Sequence, residues 1–295
     1  MRIVVTGASG FIGKCFLDTF SNDTVVGTCF SRPGGNLARV DFRNRAAIEE
    51  FVTKLRPDAV IHCAARPTVD WCEHHPDEAR TLNVSATEAL ADACTRINAR
   101  LVFLSSDYVF DGVSGPYSED DRTNPINVYG RLKLEAEQAI QSRLKNSLII
   151  RTTNVYGFDL QSKNFVMGIL PRLARRERVP VAIDQFGNPT LVQDLCSTAR
   201  ELLGSGASGI FHVVGPDFMN RVEWAQTVAT VFELDPDLIA AMTTEELNQP
   251  APRPKRSGLI STRLHSVTGK PLSDLKQGLM LMKRQWDGTP PIGSW

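Results

Sequence analysis

The chain has 295 residues, 42% of them hydrophobic and 22% charged, enough for one large core or a core with a smaller satellite, and neither a disordered nor a fibrous composition. Its 33 basic residues balance 33 acidic ones, so no global field draws nucleic acid or an anionic membrane, and any anionic ligand needs a local site. No apolar run is long enough to span a bilayer, and the N-terminal Met1-Arg2-Ile3-Val4-Val5-Thr6-Gly7 lacks the long apolar region of a signal peptide. Six scattered cysteines without a Cys-x-x-Cys pair read as reduced thiols of a cytoplasmic protein, and the five histidines have no metal spacing.

Over the first half, short β-branched runs alternate with longer amphipathic stretches, as in βαβ units stacked on a parallel sheet. Strands are expected over residues 2–6, 24–29, 59–63, 101–104 and 147–151, and helices over 12–20, 45–56, 77–98 and 128–142. Beyond residue 154 the pattern loosens. Helices are expected over 164–176, 192–203 and 221–232, strand-like runs over 179–183 and 209–213, a stretch rich in proline, threonine and charge over 235–258, and a loosely held tail over 285–295. The reading is an α/β fold. A Rossmann-type doubly wound parallel sheet occupies residues 1–153, completed by segments around 179–213, with a smaller, interleaved C-terminal substrate-binding lobe in 154–295.

Between the first strand and the first helix lies Thr6-Gly7-Ala8-Ser9-Gly10-Phe11-Ile12-Gly13. In that βα context glycines give a tight turn, close pyrophosphate approach and close helix–strand packing, and the amides at the helix start hold the diphosphate of a dinucleotide. Gly7, Ser9, Gly10, Phe11, Ile12 and Gly13 are therefore candidate cofactor contacts. The end of the second strand decides between the two nicotinamide dinucleotides. Here Thr28-Cys29-Phe30-Ser31-Arg32-Pro33-Gly34 has no carboxylate for a ribose hydroxyl, which favours NADP(H) over NAD(H), with Ser31 and Arg32 on the 2′-phosphate. Asp41, with Phe42 beside it, matches an acid that caps the adenine; the plainer reading is a turn aspartate.

Tyr129 and Lys133 stand four residues apart, on one face of a helix that begins near residue 128. A free phenol titrates near pH ~10, and an adjacent ammonium stabilises its anion. Lys133 also has the reach to bond a nicotinamide ribose. The strand before this helix ends in Ser105-Ser106, and a serine hydroxyl there can polarise the substrate oxygen that Tyr129 protonates while nicotinamide delivers hydride to the carbonyl carbon. Ser106 is preferred to Ser105, so the candidate catalytic set is Ser106, Tyr129 and Lys133, the latter two also touching cofactor.

Further stretches resemble one family. Ser106-Asp107-Tyr108-Val109-Phe110-Asp111-Gly112, Asn127-Val128-Tyr129-Gly130 with Lys133, Val155-Tyr156-Gly157 after Arg151, Asp184-Gln185-Phe186-Gly187-Asn188-Pro189-Thr190 and Arg253-Pro254 are together similar to the dTDP-4-dehydrorhamnose reductase-like branch of the extended short-chain dehydrogenases/reductases. His62-Cys63-Ala64-Ala65 with Val69-Asp70 and Glu73 looks like that family's loop after the third strand, which lies along the cofactor, and Asn83-Val84 resembles its asparagine–valine pair in the next helix. The resemblance implies Cys63, Ala64, Ala65 and Asn83 at the cofactor, and reduction of a 4-keto-6-deoxy sugar attached to a nucleoside diphosphate. Asp107, Tyr108 and Asn154 would line the sugar, and Gln185, Asn188 and Arg253 would hold diphosphate or base. The chain departs from the family at Thr153-Asn154, where such reductases usually carry a tryptophan ahead of Val-Tyr-Gly. Two other readings stay open: an epimerase or dehydratase of the same superfamily, and a non-catalytic NADP-binding subunit similar to the regulatory β subunit of methionine adenosyltransferase. A homodimer is a further possibility that the sequence leaves undecided.

Overall fold

The computed structural model describes residues 1–30, 36–159, 161 and 164–286. Its first half contains β1 (Arg2–Thr6), α1 (Phe11–Thr19), β2 (Thr24–Cys29), β3 (Ala38–Arg39), α2 (Arg45–Leu55), β4 (Ala59–His62), α3 (Val69–His74), α4 (Pro76–Arg80), α5 (Ala86–Ile97), β5 (Arg100–Ser106), α6 (Val128–Arg143) and β6 (Ser147–Thr152). There follow β7 (Val155–Tyr156), α7 (Phe165–Ala174), β8 (Val179–Ala182), β9 (Phe186–Gly187), β10 (Thr190–Leu191), α8 (Val192–Gly204) and β11 (Gly209–His212). The chain then runs through β12 (Met219–Asn220), α9 (Arg221–Val231), β13 (Ile239–Met242), α10 (Thr244–Leu247), α11 (Thr262–Thr268) and α12 (Leu275–Lys283).

Seven strands form the central sheet in the order β11-β6-β5-β4-β1-β2-β3, and every pairing is parallel. The chain starts in the middle, runs to one edge and returns to build the other, so the carboxyl ends of β1 and β4 diverge into the crevice where such sheets bind ligands. Alternation along the strands feeds both faces. Ile3 and Val5 pack with Phe16, Leu195 and Ala199 on the α1 and α8 side, while Val4, Val60 and Phe103 pack with Ile48, Leu90 and Ile140 on the α2, α5 and α6 side. A third core around Trp224, Tyr156, Leu170 and Leu279 holds the C-terminal lobe together.

Three expectations change in detail. The helix read over 77–98 is two helices, α4 and α5, joined by a π-helical turn at Thr81–Ser85; its extra residue turns Asn83 inward, where its side chain bonds both backbone groups of Arg66. Of the 179–213 stretch, β11 joins the central sheet and α8 packs under it, whereas β8 pairs with β13 in the lobe. The stretch 235–258, read as irregular, contains β13 and α10, each too short for a periodic signal. The tail call over 285–295 falls, from residue 287 on, outside the described residues.

One interaction locks the sheet to α6. Glu137, 1% exposed, receives both Nε (2.9 Å) and Nη2 (2.7 Å) of Arg151, 4% exposed, and also the hydroxyl of Ser105. A fork-on-fork pair of this kind is strong where both charges are out of water, and removing one partner strands the other. Glu137→Ala should therefore lower unfolding stability by about 3–5 kcal/mol, and Glu137→Met with Arg151→Met should recover most of that loss. Urea unfolding of the two variants checks it.

Candidate active site

The site begins at the turn after β1. Gly7 holds a φ of +65°, and a side chain there would stand 2.8 Å from the backbone of Ala64. At Gly13 a side chain would stand 2.3 Å from the Gly7 carbonyl, so the turn folds only with glycine at both places. Gly10, the N-cap of α1, brings no side chain to the helix start, and the amides of its first turn face the cleft with no side-chain cap. Thr6 pins the facing loop: its hydroxyl accepts the amides of Cys63 (3.2 Å) and Ala64 (3.1 Å) and pairs with Nδ1 of His62 at 2.7 Å. Burial, with the nearby charge of Lys133, lowers the His62 imidazole to about 3, so it stays neutral and structural.

From this turn a cleft of about 640 Å³ runs across the carboxyl ends of the strands. Gly7, Ser9, Gly10, Phe11, Ile12, Gly13, Asp41, Phe42, Cys63, Ala64 and Ala65 line one part of it; Ser106, Asp107, Tyr108, Tyr129, Lys133 and Asn154 line the rest. Asp41 accepts the backbone and guanidinium nitrogens of Arg43, whose cation also sits 4.5 Å over the Phe30 ring, all at the end of the cleft beyond β2. Ser31 and Arg32 lie outside the described residues. An elongated cleft with an uncapped helix start at its middle and a glycine floor fits a dinucleotide. The Thr152 hydroxyl, buried on the same wall without a protein partner, is a spare polar group for a ligand to engage.

The catalytic candidates converge from two elements. Ser106 ends β5, and its hydroxyl donates to Asp107 Oδ1 (3.0 Å) and accepts the Tyr108 amide (3.2 Å). Asn127 caps α6, its carbonyl oxygen taking the Gly130 amide at 2.8 Å, which starts the helix one residue before Tyr129. Tyr129, Lys133 and Glu137 then follow at four-residue spacing on the inward face. Lys133 Nζ donates to the Leu104 carbonyl at 2.8 Å and lies 5.9 Å from the Tyr129 ring centroid; burial lowers it from its ordinary value to about 8. Burial of the Tyr129 hydroxyl raises its pKa, the Asp107 carboxylate adds to that, and a hydrogen bond with Ser106 works the other way. The sequence argument had an ammonium drawing the phenol down. In the folded chain desolvation governs, and Tyr129 stands as a protonated donor.

Four predicted contacts do not line this cleft. Asn83 holds the Arg66 backbone. Gln185 donates to Thr244 and Gln249 in the lobe. Asn188, 4% exposed, is spent on the Gly215 carbonyl and the Leu259 amide, and Arg253 is ion-paired with Asp70 at 2.7 Å. Each is a buried polar side chain saturated by protein partners, which is why motif position alone suggested a ligand role. Conversely, Arg221 and Thr152 line the cleft without having been singled out as contacts from motifs. Arg221 arrives on α9, 67 residues after the Asn154 it bonds, and no local pattern marks it.

The profile of the RmlD substrate binding domain family matches residues 1–286. The dTDP-4-dehydrorhamnose reductase of Mycolicibacterium smegmatis is 32% identical over 284 residues, covering 94% of this chain and 84% of that protein. Methionine adenosyltransferase 2 subunit beta of Bos taurus is 30% identical over 275 residues, covering 90% of this chain and 82% of that protein. A crystal structure of dTDP-4-dehydrorhamnose reductase from Bacillus anthracis, in complex with NADP, has a TM-score of 0.89 at 27% identity, covering 97% of this chain and 99% of that one. The match runs through both the sheet and the lobe, and the chain accordingly belongs to the RmlD substrate binding domain family, in the dTDP-4-dehydrorhamnose reductase-like branch of the extended short-chain dehydrogenases/reductases.

Proposed function

We propose that the protein is an NADPH-dependent reductase of a 4-keto-6-deoxy sugar carried on a nucleoside diphosphate. The observation that carries the reading is the meeting of Ser106, Tyr129 and Lys133 at the far wall of the cleft that opens from the glycine turn. A nicotinamide dinucleotide, when bound, supplies hydride. The turn amides of α1 would hold its diphosphate, and Lys133 would bond its ribose. Ser106 and Tyr129 both line the cleft and would present two hydroxyls to the substrate carbonyl oxygen. Tyr129, kept protonated by burial, gives its proton to that oxygen as negative charge develops there. The Lys133 ammonium favours the resulting phenolate and is the next proton source behind it. Asp107, buried and held by Ser106 and Ser257, orients the serine hydroxyl. Ser106 is followed by Asp107 without an adjoining glutamate, which supports reduction over dehydration.

The likeness to methionine adenosyltransferase 2 subunit beta supports a second reading, an NADP-binding subunit that stabilises a partner enzyme. The complete proton-delivering set weighs against it. NADPH over NADH is supported by the missing carboxylate after β2 and by Arg43 at that end of the cleft. Among the described residues no helix is long and apolar enough to cross a membrane, and all six cysteines are unbridged, in keeping with our placement of the protein in the cytoplasm.

Purified protein should oxidise NADPH when given dTDP-4-keto-6-deoxy sugar, followed by nicotinamide absorbance; tight NADPH binding with no substrate-dependent oxidation would favour the subunit reading. Tyr129→Phe should leave NADPH affinity nearly intact and lower kcat by about 100-fold or more. Since Lys133 titrates at about 8, it is charged below that pH and neutral above it. The reductive kcat/KM should therefore fall as pH rises through about 8, and Lys133→Arg, charged throughout, should lose that limb of the profile. Arg32→Ala should weaken NADPH far more than NADH in fluorescence titrations; equal losses would take Arg32 off the 2′-phosphate.

A further inference from the structure

Among the described residues Arg221 is in no ion pair, though its charge reaches the buried Asp107 carboxyl. Its Nη2 donates to Asn154 Oδ1 at 3.0 Å and its Nε to Gln185 Oε1 at 3.2 Å, and it lines the cleft together with Tyr108. Both acceptors are neutral, and among the described residues no carboxylate forms an ion pair with it, whereas nearby Arg151 and Arg253 each hold one. Its place in the fold is also unfavourable for a cation. Arg221 is the first residue of α9, at the positive end of the helix dipole, and the acid of that first turn, Glu223, is committed to the capping box with Asn220. The acceptors are fixed in advance. Asn154 adopts a left-handed φ of 49°, and its amide nitrogen occupies space that a side chain at Gly187 would fill, at 2.4 Å, which aims its oxygen at the guanidinium. The Tyr108 ring, in turn, meets the Tyr129 ring edge-on at 6.0 Å, so the cation lies one aromatic ring from the reacting hydroxyls.

We infer that Arg221 is the substrate-anion receptor of this cleft, binding a phosphate or carboxylate group that the substrate carries beside its reacting sugar ring. The cofactor's diphosphate is taken by the α1 turn on the other part of the cleft, so this second cationic position serves the second ligand. The inference rests on the reading of this wall as the substrate side. Two sources share the chemistry: the diphosphate of a sugar nucleotide and a carboxylate on the sugar itself.

Calorimetry on NADPH-saturated protein, with dTDP and with glucuronate as probes, tests it in the wild type, Arg221→Gln and Arg221→Lys. The expected result is dTDP binding weakened about 10- to 100-fold in Arg221→Gln and partly restored in Arg221→Lys, at unchanged NADPH affinity and melting temperature. Glucuronate binding that depends on Arg221 while dTDP binding does not would assign the site to a sugar carboxylate. Equal affinities for both probes in all three proteins, or no binding of either probe to the wild type, would overturn the inference. Turnover separates the two claims. Arg221-dependent dTDP binding without NADPH oxidation would remove the reductase reading alone, and oxidation with Arg221-independent binding of both probes would remove this one alone.

Discussion

The Glu137 carboxylate is the point to which the catalytic wall is fastened. It sits two turns along α6 from Tyr129 and one from Lys133, and it is held by Arg151 on β6 and Ser105 on β5. Because it is buried, the pair tolerates little displacement: any slide of α6 along the sheet would expose a charge to an apolar interior. The register of the helix against the strand end is thereby set, and with it the meeting of Tyr129 with Ser106. The Asn127 cap fixes the same helix at its start, and its side-chain nitrogen reaches across to the Pro252 carbonyl of the lobe.

Further ties of this kind join the lobe to the sheet around the cleft mouth. Asp70 receives the Arg253 guanidinium and the Ala251 amide, and Glu73 accepts the amide of Val128. The α3 helix that follows the loop after β4 is thus bound at once to the α6 start and to the 251–253 segment. Asn83, projected by the π-helical turn, holds Arg66 in that same loop. The polar groups that motif comparison placed on a ligand are in good part what keeps the two walls of the cleft at a fixed separation. A pre-set separation matters for a reaction in which a hydroxyl must meet a carbonyl oxygen without reorganisation.

Electrostatics divide the cleft by function. On the sheet side, desolvation governs: it keeps His62 neutral, keeps Tyr129 protonated and brings Lys133 to about 8. On the lobe side, the guanidinium of Arg221 is solvated by two amide oxygens, those of Asn154 and Gln185. Desolvated proton donors and a cation ringed by neutral acceptors make different demands on a substrate, a polar carbonyl for the first and an anion for the second.

The sequence by itself determined the parallel sheet, the glycine turn and the spacing of the candidate set Ser106, Tyr129 and Lys133, because each is written in local terms. Alternating β-branched runs, a glycine pattern at a strand end and a four-residue helical spacing all act between near neighbours. The pairing of β8 with β13, the withdrawal of Gln185, Asn188 and Arg253 into protein contacts, and the arrival of Arg221 beside Asn154 were decided only by the tertiary structure. Arg221 meets Asn154 across 67 positions and Arg253 meets Asp70 across 183, and whether a polar side chain faces a cleft or another side chain depends on packing that no local window contains. The direction of the Tyr129 shift belongs with them: the burial that raises it exists only once the chain has folded.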